Sequence, residues 1–290
     1  MNEHDLLVIG AGPGGYVAAI RAAQLGLDTA VVEREEVFGG TCVRIGCIPS
    51  KTLLESSHRY AALSSEAAEH GIDVEGVSLD LARMHERRVQ TVKANTDGLQ
   101  FLFRKNKIKS YRGTGRLKGD GTVQVTAGDG TVTEVKAKNI IIATGSSVAP
   151  LRGVEPDGTY IGTSEEALEY DEVPERLVVV GAGAIGLELG SVWNRLGADV
   201  TVVEYLDRIL PGMDLSIAKE AQRSLRRQGL TFRLGTGVTA AEVNDGTVTV
   251  TLTDDSTLEC DRLLIAVGRV PNTAGLGLEE AGVETDGAGR

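Results

Sequence analysis

Two thiols lie close together in the chain, within Gly39-Gly40-Thr41-Cys42-Val43-Arg44-Ile45-Gly46-Cys47-Ile48-Pro49-Ser50-Lys51. Cysteines with four residues between them can form a disulfide if the backbone between them curls, and Gly46 eases that curl. Pro49 suits the first turn of a following helix, which puts Cys47 near the helix N-terminus. The positive end of a helix dipole lowers a thiol's pKa, and Lys51, one turn on, adds positive charge. The pattern points to a redox-active disulfide. Two plainer readings stand beside it: a pair of buried thiols, or half of a metal site. A zinc site needs a second Cys or His pair at short spacing. The four histidines, His4, His58, His70 and His85, do not supply one, so no metal ligand is assigned. Cys260, in Leu258-Glu259-Cys260-Asp261, reads as a structural thiol beside a strand. An odd cysteine count argues against a structural disulfide framework.

The second set of chemical residues is glycine-rich and occurs twice. Asp5–Ile9 is a short apolar run, followed by Gly10-Ala11-Gly12-Pro13-Gly14-Gly15, a helical stretch ended by Gly26, and a strand, Thr29–Val32, that finishes at Glu33. Leu177–Val180 is followed by Gly181-Ala182-Gly183-Ala184-Ile185-Gly186, a helical stretch ended by Gly197, and a strand, Val200–Val203, that finishes at Glu204. The offset from Gly10 to Gly181 is 171 residues, and so is that from Glu33 to Glu204. Glycines in such a turn let backbone approach a pyrophosphate at a helix N-terminus, and the terminal carboxylate accepts hydrogen bonds from a ribose diol. A lone G-x-G-x-x-G is a weak signal. Two in register, each inside a strand–helix–strand unit, point to two dinucleotide sites.

Glu204 favours the free 2′-hydroxyl of NAD over the 2′-phosphate of NADP. A dithiol has no simple route to a nicotinamide alone, so the first site reads as FAD. Ile140–Gly145 and Leu263–Gly268 are further apolar strands ending in glycine. Glu33 to Gly145 spans 112 residues and Glu204 to Gly268 spans 64, so the first half carries extra residues. These include the cysteines and two long helical stretches, near 48–70 and 79–105.

The chain that must position these residues has 290 of them, enough for two domains and a remainder. Its net charge of −11, without a long basic run, argues against nucleic acid as a partner. No apolar run is long enough to span a membrane, and the N-terminus lacks a basic secretion-signal region. A cytoplasmic location is the default expectation.

The cysteine segment at 39–51, Val179–Trp193 and Ala266–Thr273 together resemble the pyridine nucleotide-disulfide oxidoreductases, and within them the branch that oxidises dihydrolipoyl groups. Arg44 departs from the motif, which commonly has Asn there. The resemblance implies an α/β fold of two Rossmann-like dinucleotide-binding domains. Residues 1–149 would bind FAD and carry the disulfide, and 150–271 would bind NAD. Residues 272–290 would begin the return to the FAD and central domain, without the C-terminal dimerisation domain.

The resemblance also implies roles. Cys42 would exchange with the substrate dithiol, Cys47 would meet the flavin, and Lys51 would lie near the flavin and pair with Glu188. The FAD contacts would be Gly10, Gly12, Gly14, Gly15, Glu33, Arg34, Gly40, Thr41, Cys42 and Lys51. Thr144 and Gly145 would join them, with Gly115 lending backbone to the adenine. The NAD contacts would be Gly181, Gly183, Ala184, Ile185, Gly186, Glu204 and Gly268, with Val238 in the adenine pocket. The partners would be lipoyl domains of 2-oxo acid dehydrogenase complexes and, for a longer form, a second copy of the chain. Relatives of this kind are longer and add a Gly-Asp motif and a His–Glu pair after Gly268. Neither motif follows Gly268 here, so the expectation is a truncated chain, inactive alone. The alternatives are a glutathione or mercuric reductase-like enzyme and a non-catalytic nucleotide-binding scaffold.

Overall fold

Alternation of short β-branched runs with glycine-ended helices builds parallel strands joined by helical crossovers. The computed structural model describes residues 2–290. The chain opens with β1 (Asn2–Ile9), α1 (Pro13–Gln24) and β2 (Thr29–Glu33), then α2 (Gly40–Ile45) and α3 (Cys47–Ser65). A single 3-10 turn leads on to α4 (Leu81–Lys105), β3 (Lys109–Arg112), β4 (Thr114–Gly119), β5 (Thr122–Thr126) and β6 (Val132–Ile142). β7 (Ser146–Val148), β8 (Ile161–Gly162) and α5 (Ser164–Ala167) precede the second repeat. The repeat comprises β9 (Arg176–Val180), α6 (Ala184–Leu196), β10 (Asp199–Glu204), α7 (Leu215–Arg227) and β11 (Thr231–Leu234). β12 (Val238–Asn244), β13 (Thr247–Leu252), β14 (Thr257–Cys260), β15 (Arg262–Ile265) and β16 (Arg269–Pro271) complete the strands.

The chain forms two compact units that interleave along the sequence. Unit 1 takes the residues up to Ile48, Gln90–Ser147 and Val270–Arg290, and unit 2 takes Pro49–Val89 and Val148–Arg269. The boundaries read from the sequence were instead single cuts after 149 and 271.

Unit 1 holds a sheet in the order β3-β2-β1-β6-β5-β4, and unit 2 one in the order β11-β10-β9-β15-β8. The pairings repeat in register. Val8 and Ile9 pair with Val31 and Val32, while Val179 and Val180 pair with Val202 and Val203. Glu33 faces Arg112 as Glu204 faces Leu234, and Ile9 faces Ile142 as Val180 faces Ile265. Each unit adds an antiparallel meander, β4-β5-β6 in the first and β12-β13-β14 in the second. The expected fold class, α/β with two Rossmann-like units, is therefore met.

The cores explain the strand composition. Leu7, Val8, Val31 and Val32 are buried in unit 1, and Val179, Val200, Val202 and Leu264 in unit 2. A strand covered on both faces reads as a continuous apolar run. Trp193 on α6 is fully buried, and its indole Nε1 donates to the Ala167 carbonyl at 3.0 Å. Leu53 from α3 packs into the same core, with Leu81 and Met84 from α4 partly buried against it. The C-terminal segment belongs to unit 1: Leu276 is buried there, and the Leu117 amide donates to its carbonyl at 2.8 Å.

Candidate functional site

The two glycine turns have the same construction. Gly10 has φ 102° and Gly181 φ 104°, a region closed to most side chains. A Cβ on either would meet a backbone oxygen, Ala143 O at 2.3 Å or Ala266 O at 2.4 Å. The last glycine of each motif is equally constrained. A Cβ on Gly15 would lie 1.8 Å from the Gly10 oxygen, and one on Gly186 2.2 Å from the Gly181 oxygen. The middle glycines differ. Gly183 has nothing within 4 Å of its Cβ position, and Gly12 has only the Gly40 Cα at 3.7 Å. The protein's own packing does not demand glycine at 12 or 183. A ligand approaching the backbone would.

The helix starts fit an anion. Gly12 and Gly183 cap α1 and α6 with no side-chain hydrogen bond and no acidic residue in the first turn. By contrast Thr163 and Asp214 cap α5 and α7 with their own oxygens. The first-turn amides of α1 and α6 are thus left to an outside acceptor, where the dipole favours negative charge.

Both terminal glutamates brace their turns. Glu33 Oε2 accepts from the Ala11 amide at 2.7 Å and Oε1 from the Glu35 amide at 3.0 Å. Glu204 Oε2 accepts from the Ala182 amide at 2.8 Å and Oε1 from the Leu206 amide at 2.9 Å. The repeat runs further than the sequence showed: the Gly39 amide donates to the Ala11 carbonyl and the Leu210 amide to the Ala182 carbonyl, both at 2.9 Å.

Beyond Gly39 the units part. α2 carries Cys42, and α3 begins at Cys47, as Pro49 predicted. A Cβ on Gly46 would lie 2.8 Å from the Thr41 oxygen and 3.3 Å from the Cys42 Cα, so the chain does curl back there. Gly40, at φ 58°, would clash with the Gly12 Cα at 2.5 Å if it bore a Cβ, which sets the first turn of α2 against the glycine turn. Cys42 is half-buried and Cys47 exposed. Cys260 is fully buried, and burial pushes its thiol up to about 12, as a structural role requires.

Lys51 lies four positions after Cys47 on α3, and its Nζ donates to both oxygens of Glu188 at 2.8 and 2.6 Å. Arg34 is exposed, with its Nε 3.3 Å from Glu35. Ala184 opens α6, followed by Ile185, and Thr41 lies on α2. Gly14, in the first turn of α1, has room at its Cβ position except for the Ala143 side chain at 4.0 Å. Thr144 and Gly145 follow β6, and Asn272 fastens them: its Nδ2 donates to the Thr144 carbonyl at 3.1 Å and its amide to the Gly145 carbonyl at 3.0 Å. Gly268, at φ 134°, accepts from the Ala149 amide at 2.9 Å. Gly115 lies inside β4, and a Cβ on it would press on Ile9 at 3.1 Å and Val32 at 3.3 Å. Val238 starts β12 and is buried in the apolar core of unit 2.

Two residues of the site carried no sequence signal. Tyr16, on α1, lies near both thiols. Burial, then the nearby Cys42 and Cys47, holds its phenol above the ordinary value. Glu35 receives Arg44 Nη2 at 3.0 Å. Both depend on α1, the loop after β2 and α2 meeting in space. Among the described residues no group of three or more His, Cys, Asp or Glu could hold a metal ion. Nor is any helix among the described residues long and apolar enough to cross a membrane. A cavity of about 690 Å³ between the Val148–Pro156 segment, Thr163 and Ile265 includes none of the candidate residues.

Comparison with known proteins shows the family. The chain is 52% identical over 295 residues to dihydrolipoyl dehydrogenase 3 of Pseudomonas aeruginosa, covering all of this chain and 63% of that protein. It is 48% identical over 296 residues to the mitochondrial dihydrolipoyl dehydrogenase of Dictyostelium discoideum, covering all of this chain and 61% of the relative. Among solved structures it matches LpdA from Mycobacterium tuberculosis with a TM-score of 0.91 at 29% identity, over 100% of this chain and 63% of that one. It therefore spans roughly three-fifths of the length of these relatives. The model of the pyridine nucleotide-disulphide oxidoreductases matches residues 4–290, and the chain belongs to that family.

Proposed function

We propose that this chain belongs to an NAD-dependent enzyme that oxidises protein-bound dihydrolipoyl groups to lipoyl through Cys42, Cys47 and FAD. The observation that carries the reading is the pairing of two equivalent glycine turns with a curled thiol pair placed directly after one of them. FAD fits the first turn, through Gly10, Gly12, Gly14, Gly15, Gly40 and Thr41. NAD fits the second, through Gly181, Gly183, Ala184, Ile185, Gly186 and Glu204. Glu204 is half-buried, and its carboxylate favours a free ribose 2′-hydroxyl. When bound, FAD supplies a two-electron acceptor between the thiols and the nicotinamide.

The chain's own residues account for the exchange. A dihydrolipoyl thiolate attacks the Cys42 sulfur of the disulfide, forming a mixed disulfide and releasing Cys47 as a thiolate. The second substrate thiolate then closes the lipoyl ring and releases Cys42 as a thiolate, so two electrons have passed from the substrate to the protein pair. Lys51, held by Glu188, keeps a positive charge on α3 one turn from Cys47. The proposed partners are lipoyl domains of 2-oxo acid dehydrogenase complexes and a second copy of the chain, in a cytoplasmic setting.

The test separates binding from exchange. Calorimetric titration should find one FAD site, lost in Gly12→Val, and one NAD site, lost in Gly183→Val. Cys47→Ser should trap a mixed disulfide between Cys42 and oxidised lipoamide, read by mass spectrometry. Trapping glutathione in preference to lipoamide, or taking up mercuric ion instead, would move the substrate to the corresponding reductase class. Failure to bind either nucleotide would end the dinucleotide reading.

A further inference from the structure

We infer that Arg44 and Glu35 are a positioning pair that holds the Cys42 helix and thereby sets how readily Cys42 and Cys47 close into a disulfide. This rests on the redox reading of the thiol pair given above. The helix in question, α2, is six residues long, has glycine at both ends and gains no side-chain cap at Gly39. Val43 is its one buried residue, so apolar packing grips one face only. On another face Arg44 Nη2 meets Glu35 Oε2 at 3.0 Å, and the guanidinium is 23% exposed.

Glu35 is itself a fixed point. Its amide donates to Glu33 Oε1 at 3.0 Å, while Glu33 Oε2 holds the Ala11 amide of the glycine turn at 2.7 Å. The guanidinium therefore ties the thiol helix to the hydrogen-bonded frame of the first nucleotide turn. Unit 2 provides the internal control. Leu206 stands at the matching place, its amide donates to Glu204 in the same way, and no carboxylate is offered. No thiol-bearing helix follows Leu210 there either. At the matched positions, Glu35 against Leu206 and Arg44 against Leu215, the carboxylate and the guanidinium stand in the unit that has a thiol helix to hold.

Restraining one thiol near another raises its effective concentration and favours closure. A partly exposed ion pair has a modest effect, so the expected change is about fivefold in the closure equilibrium, equivalent to about 20 mV for a two-electron couple.

The chain is equilibrated with mixtures of reduced and oxidised glutathione, so that two glutathione thiols reduce the Cys42–Cys47 disulfide and become glutathione disulfide. The dithiol fraction is then read by mass after alkylation. Arg44→Gln and Glu35→Gln should both shift the balance about fivefold toward the dithiol. The charge reversal Glu35→Arg with Arg44→Glu should recover most of the loss, and Arg44→Lys should lie between. Thermal unfolding of each variant separates this from general loss of fold. If Arg44 acted only as a charge near the thiols, Glu35→Gln and Arg44→Gln would shift the balance in opposite directions, and that result overturns the inference. Equality of all variants overturns it too. A parent chain that forms no Cys42–Cys47 disulfide at any ratio overturns the redox reading itself, a failure visible without any variant.

Discussion

In unit 1 the glutamate after the glycine turn is 8% exposed, whereas its counterpart in unit 2 is half-buried, although each holds two backbone amides in the same pattern. The residues around them diverge at matched positions. Glu35 stands against Leu206, Gly39 against Leu210, and Gly115 against Val238. Gly39 has φ 125°, while Leu210 holds φ 47°, an uncommon conformation for leucine, to make the same amide bond. The Gly113 amide donates to the Glu33 carbonyl as the Thr236 amide does to that of Glu204, so Gly115 and Val238 sit at equivalent places. At the first, Ile9 and Val32 come too close for a Cβ, and at the second, Val238 buries its own side chain. The backbone frame of a dinucleotide turn is thus held by very few residues, and specialisation is written in the side chains around it.

The glycines give the strongest way to break this comparison. Gly15→Ala and Gly186→Ala push a methyl into a backbone oxygen and should each cost at least about 3 kcal/mol in urea unfolding. Gly183→Ala should stay within about 1 kcal/mol of the parent, because nothing crowds its Cβ position. It should nonetheless weaken NAD binding at least tenfold. Undiminished binding would reduce the second turn to a structural element.

Alkali should separate the units next. Cys260 and Tyr170 are both buried in unit 2, and burial raises both, Cys260 from 9.0 to about 12. Each holds its proton more tightly folded than unfolded. Their contribution is complete below about pH 9 and is lost as pH rises toward 12, by a few kcal/mol at most. Trp193, the chain's one tryptophan, reports unit 2. Its fluorescence transition should come before loss of hydrogen-exchange protection in unit 1 as pH rises, and the reverse order would contradict the assignment. Cys260→Ala should flatten part of the alkaline slope.

Glu33→Gln should cost about 2 kcal/mol and Glu204→Gln about 1 kcal/mol, because amide takes away one acceptor and the charge, and burial deepens the loss. Equal costs would show that exposure does not matter here. Glu204→Gln should also narrow the preference for NAD over NADP. The smallest effects lie at the matched pair beyond the turns. Gly115→Ala should overpack against Ile9, and Val238→Ala should leave a cavity, each costing about 1 kcal/mol in thermal unfolding.

Much of this was legible without coordinates. The 171-residue offset, the glycine turns, the terminal glutamates and the helix starting at Cys47 all follow from local rules: φ above zero needs glycine, a proline suits a first turn, and a doubly covered strand is apolar. These depend on near neighbours in the chain. Other features did not show. Gly115 read as lending backbone to the adenine, but its place inside a strand, where Ile9 and Val32 would crowd a Cβ, did not show. The two units interleave, because 49–89 packs its Leu53 against the core around Trp193, far along the chain.

What the sequence by itself determined was the chemistry on offer: two dinucleotide turns, a thiol pair and a carboxylate suited to ribose. These signals are short-range and survive in one dimension. The tertiary structure decided which groups meet. Tyr16 comes near the thiols and Arg44 reaches Glu35 through the packing within unit 1, and Lys51 grips Glu188 through the packing within unit 2. An ion pair between residues 137 positions apart leaves no trace in local spacing, since the contact exists only once the burial of apolar surface has fixed the elements that carry it.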